Sequence, residues 1–90
     1  MTSPDVPGAD LVREGLRDLA QGVETPAALL VSIGAPRLRR LGIEVPTAFP
    51  SPEHRLYALL AESDADSAHG RYNALVRRLV SFERALGCAR

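Results

Sequence analysis

The sequence predicts an all-α fold, a small four-helix bundle-like domain with one extra short helical turn. Three observations carry that prediction. Apolar residues recur at helical spacings of three and four in several segments, and no segment alternates apolar and polar residues over four or more positions. Pro follows Thr25 and Ser51 directly, the arrangement of an N-cap before a first helical proline. Of the 90 residues, 46% are hydrophobic and 24% charged, ordinary globular usage that excludes a disordered chain. Ninety residues provide one core and are too few for two lobes around a cleft.

Residues 1–9 are expected to form a disordered N-terminal tail, because two prolines, a glycine and few apolar groups cannot offset the entropy of ordering. Residues 10–90 are expected to form a single all-helical domain. Asp10 is the expected N-cap of a first helix whose apolar stripe is Val12, Leu16, Leu19 and Val23, with Arg13, Glu14, Arg17 and Asp18 facing water and Gly22 ending it. Thr25 and Pro26 start a second helix that is apolar nearly all round from Ala27 to Ile33, which belongs at the centre of a bundle. Gly34 is expected to close it, and Pro36 to open the extra turn, Arg37–Leu41, ended by Gly42. Residues 42–51 then form a connecting loop pinned by Ile43, Val45 and Phe49.

Ser51, Pro52 and Glu53 start a third helix with Leu56, Leu59 and Leu60 buried, ending near Ser63. From about Ala68, Tyr72, Leu75, Leu79, Phe82, Leu86 and Ala89 form a heptad-like seam, widened by Val76 and Val80. The stripes of the first and last helices suit packing together at about +20°.

The chain carries eleven arginines, no lysine and no net charge, with a balance of −3 over residues 1–35 and +4 over 71–90. Lysine avoidance with thirteen alanines is the codon signature of a GC-rich bacterial genome, and one cysteine agrees with a cytoplasmic address. No apolar run approaches the ~18 residues of a membrane span, and no secretory signal pattern opens the chain.

A catalytic reading finds little support. No P-loop, nucleophile elbow or paired-ligand spacing occurs, and Cys88 sits on a last helical turn too frayed to hold a nucleophile. Glu62, Asp64, Asp66 and His69 surround a turn, but Ala68 and Leu75 stand where a calcium loop begun at Asp64 would need oxygen ligands. Neither a metal nor another cofactor is expected, and the chain is read as no enzyme.

Three candidate surfaces remain. The leading one is a protein-interaction face on the last helix, where Asn73, Arg77 and Arg84 share a side and Val76 and Val80 extend an apolar stripe. Its partner would be another protein, or a second copy in a homodimer. The alternative is nucleic-acid binding through a helix-turn-helix over residues 25–43, with Gly34 at the turn. It would use Arg37, Arg39 and Arg40, aided by Arg77, Arg78 and Arg84. Zero net charge and a recognition helix of only about five residues weaken that reading. The third is a ligand site formed by His54, Tyr57, His69, Tyr72 and Asn73 in a cleft between the third and fourth helices. There, Gly70 and Asn73 are costly in a helix unless close packing or a bonding partner needs them.

Overall fold

The computed structural model describes residues 7–88. Four helices follow in order: α1 over Ala9–Ala20, α2 over Pro26–Arg40, α3 over Pro52–Ser63 and α4 over Ala68–Cys88. No strand occurs among the described residues, so the all-α, bundle-like class holds. Residues 1–6 of the expected tail lie outside the described residues. Pro7 and Gly8 form a turn, Ala9 already belongs to α1, and the N-cap is Gly8 in a left-handed conformation (φ 78°) rather than Asp10. Asp10 sits in the first turn, where a carboxylate suits the positive helix end.

α2 is the hub. Ala27, Ala28, Leu29, Leu30, Val31 and Ser32 are consecutive buried residues, so every side of the helix is covered there. Its start is the predicted one: Thr25 Oγ1 accepts the Ala28 N–H at 3.1 Å and donates to Asp18 Oδ2 at 2.8 Å. Asp18 thus ties α1 to the start of α2 instead of facing only water.

The end of α2 differs from expectation. Gly34 does not close it and Pro36 does not open a new turn; the helix runs unbroken to Arg40. Residues 37–40 are helical as expected, but as the last turn of α2, so no extra element exists. The physical reason is packing. Ala35 and Leu38 are buried on one side while Pro36 is exposed, and burial of the flanking residues offsets the ~3 kcal/mol that an interior proline costs. Gly34 lies inside the helix where side chains of α4 approach it closely. A Cβ there would lie 3.0 Å from both Leu79 Cδ2 and Glu83 Oε2.

α1 also differs from expectation. It packs on α2, and its buried line is Val12, Gly15 and Leu19, with Leu16 half-buried; Val23 lies beyond the helix and is 45% exposed. Gly15 sits on the α2 backbone so closely that a Cβ would stand 2.3 Å from the Ala27 carbonyl oxygen. Gly8 lies against the Arg78 carbonyl and the Phe82 Cβ, and Arg78 meets Asp10 at 3.4 Å. These contacts join α1 to α4 at the start of α1, whereas the main packing of α1 is on α2.

Leu56 and Leu60 bury α3 against α2 and α4. Ser51 was expected to cap α3 by its hydroxyl, but it adopts a left-handed conformation (φ 46°), makes no side-chain cap and offers its carbonyl to Arg55 N–H. The loop before it is pinned as expected, with Ile43, Val45 and Phe49 packed on the core. Ser32 Oγ accepts the Phe49 N–H at 3.2 Å, and the Arg39 guanidinium donates to the Val45 and Pro46 carbonyls. Arg55 joins Glu24 through two hydrogen bonds and stacks 5.8 Å from the Phe49 ring centroid, tying α3 to both loops.

Candidate functional site

α4 carries the leading candidates. At 100° per residue, Asn73, Arg77, Val80 and Arg84 fall within roughly 60° of one another and span ~16 Å of helix. Arg77, Val80 and Arg84 are exposed, Val80 at 36%, while Asn73 and Val76 are half-buried. Val76 packs against the core, so it forms the inner edge of the strip and Val80 its outer apolar centre. Asn73 also turns partly inward, with its amide nitrogen 3.2 Å from His69 Nε2 one helical turn earlier.

The polar and aromatic set divides. Tyr57 of α3 stacks with Tyr72 of α4 at 5.8 Å between centroids and with His69 at 6.4 Å, so Tyr57, His69, Tyr72 and Asn73 do come together. His54 is not among them; it lines a separate hollow of about 260 Å³ with Glu24, Arg55, Ala58, Leu59 and Glu62. The rings lean on one another across the α3–α4 seam as tilted pairs, at 53° and 58° between planes. Burial, then the nearby Glu53 carboxylate, pushes the Tyr72 phenol above its ordinary value, so it stays protonated at neutral pH. Gly70 has no heavy atom within 4 Å of a Cβ built on it, so close helix packing does not explain it.

The three arginines of the nucleic-acid alternative are dispersed. Arg37 turns to Glu83 (3.9 Å), Arg39 clamps the loop carbonyls, and Arg40 is exposed. Since Gly34 lies inside a continuous α2, the expected helix-turn-helix geometry is absent from residues 25–43. The acidic segment forms an Asx turn, in which Asp64 Oδ1 accepts the Asp66 N–H at 3.1 Å. Among the described residues, no three His, Cys, Asp or Glu side chains gather where they could hold a metal ion. No described helix is long and apolar enough to cross a membrane. The side chain of Cys88 lies outside the described residues.

Sequence reasoning missed Glu83. It is 5% exposed on α4, its carboxylate lies against Gly34, and its one ion-pair neighbour among the described residues is Arg37 at 3.9 Å. Burial raises its pKa, an effect that Arg37 only partly opposes. The signal was present: Glu83 stands four residues after Leu79 and three before Leu86, inside the apolar stripe.

Fold and surface together define a small α-helical protein with a helical hub and a partly uncovered, arginine-bearing last helix. Comparison with known proteins adds no relative, since no family model, no curated protein and no solved structure matches the chain.

Proposed function

We propose that the chain is a non-catalytic protein-interaction module that presents the outer face of α4 to a partner. The observation that carries this reading is Val80, 36% exposed between Arg77 and Arg84, while the main packing of α1 is on α2. An apolar centre flanked by guanidiniums suits a partner surface with apolar groups and carboxylates. That partner is another protein or a second copy of this chain. The lysine-free composition supports a GC-rich bacterial source, and the single cysteine supports a cytoplasmic address.

The test has two arms. Size-exclusion chromatography with light scattering, over a concentration series, reads self-association. Affinity capture from lysate of the source organism, with and without nuclease, reads other partners. The expected result is a dimer or a nuclease-resistant protein partner that Val80→Asp and Arg77→Glu both abolish, with unchanged circular dichroism. Loss of everything bound after nuclease treatment would overturn the reading in favour of nucleic acid. Capture undiminished by both variants would show that the α4 face is not the interface.

A further inference from the structure

A second surface lies on a different side of α4. Arg71, Ala74, Leu75 and Arg78 follow the i, i+3, i+4, i+7 pattern and therefore share one helix face, with a guanidinium at each end and apolar groups between. Together with Pro26 of α2 and Leu60 of α3 they line a hollow of about 270 Å³. Its two charged lining residues are both arginines. Among the described residues Arg71 has no ion-pair partner, and Arg78 has only the 3.4 Å contact with Asp10, whose side chain is 80% exposed. The hollow also sits beside the positive end of α2, where Pro26 occupies the first turn.

We infer that this hollow receives the C-terminal end of an apolar-ended polypeptide, its free carboxylate between Arg71 and Arg78 and its last side chain on Pro26, Leu60 and Leu75. Two guanidiniums beside an apolar floor ask for a carboxylate and an apolar group held close together, and a C-terminal residue carries both on one Cα. An internal Asp or Glu carries its carboxylate on a side chain, and any apolar group beside it belongs to a different Cα. The volume falls below the roughly 300–1,000 Å³ of sites that enclose a whole small ligand, and the hollow is open to solvent on one side. A free acid would stay largely wet there, whereas a chain end needs only its last residue covered and leaves through the open side. Arg71 also borders a neighbouring hollow of about 440 Å³ lined by Glu24 and Glu62, and Asp10 stands 3.4 Å from Arg78, so acids beyond both ends keep an anion between the two arginines.

The probe is the hexapeptide Ser-Gly-Ser-Gly-Ala-Leu with a free carboxylate, titrated into the ¹⁵N-labelled full chain, beside the same peptide with an amidated end. Saturable shifts are expected at the amides of Arg71, Ala74, Leu75 and Arg78, with binding about tenfold weaker for the amide. Arg71→Gln and Arg78→Gln alter exposed side chains and should each weaken the free peptide without changing the fold. Val80→Asp should leave it unaffected, which separates this site from the interaction face proposed above. Equal binding of acid and amide, or no shifts at peptide concentrations on the order of 1 mM, overturns the inference. So does octanoate that binds as tightly as the peptide, since the occupant would then be a free acid.

Discussion

Gly15 offers the sharpest test of how α1 is held. In Gly15→Ala the new Cβ would stand 2.3 Å from the Ala27 carbonyl oxygen, 2.5 Å from Val31 Cγ2 and 2.8 Å from the Ala27 carbonyl carbon. Ordinary contact begins near 3.4 Å, so α1 must retreat by about 1 Å. Two of the three atoms belong to the backbone of a helix buried on all sides, so α2 cannot give way. A gap of ~0.5–1 Å forfeits a quarter to a half of each dispersion contact, and Val12 and Leu19, at 2% and 5% exposure, lose theirs together. Overpacking of this kind costs about 1–3 kcal/mol, and the backbone clash places it near the upper end. Replacing glycine inside a helix returns ~1 kcal/mol of propensity. The net is a loss of about 2 kcal/mol, or a fall in Tm of roughly 10 °C for a domain of this size. Gly70→Ala is the matched control, because nothing lies within 4 Å of its Cβ, and it should raise Tm by a few degrees through propensity alone. Thermal melts by circular dichroism measure both. A Gly15→Ala protein as stable as the parent, or stabilised like Gly70→Ala, would refute the close docking of α1.

Glu83 titrates above the usual carboxylate range because of burial, so the folded chain holds its proton more tightly than the unfolded chain does. Its contribution is therefore fully present below the unfolded value of 4.5 and is lost as pH rises through the raised folded value. Glu83→Gln should be more stable than the parent at pH 7 by about 1 kcal/mol, with the gap closing towards pH 4 in urea titrations; a gap that widens on acidification contradicts this. Ser32→Ala removes the acceptor of the Phe49 N–H and should cost about 1–2 kcal/mol. It should also speed hydrogen exchange at the Phe49 amide, and unchanged exchange there would show that the hydroxyl does not pin the loop.

Much of this architecture was legible in the residues. Thr25-Pro26 marks the start of α2 through cap chemistry that works locally, and the unbroken apolar run after it announces the central position. The errors arise where tertiary contact overrides local preference. Gly34 and Pro36 read as breakers because the sequence does not show that Leu79 and Glu83 press on one and that buried Ala35 and Leu38 flank the other. Ser51 carries a favourable cap side chain, yet the strained turn after Pro50 leaves its hydroxyl unused. Among the site residues, His54 and Tyr57 are three apart on one helix, which the spacing alone allows to converge. Their separation depends on Tyr57 leaning on Tyr72 while His54 borders Glu24 and Glu62. The Arg71–Arg78 hollow was invisible because two of its walls, Pro26 and Leu60, come from other helices.

The position of any partner surface follows from a mismatch of lengths. α2 has 15 residues and α4 has 21, so α4 runs ~31 Å beside a hub of ~22 Å. α2 can cover only part of that length, and the main packing of α1 lies on α2 instead of α4. Leu79 and Glu83 lie against Gly34 of α2 and Phe82 lies against Gly8, and all three are buried, which is why the carboxylate there titrates above its ordinary value. Two flanks of α4 are left without full cover, one centred on Val80 and one between Arg71 and Arg78. Both carry arginine and neither carries an acid, because the one acid of α4 is the buried Glu83. The basic end of this neutral chain therefore turns its positive charge outward on both flanks.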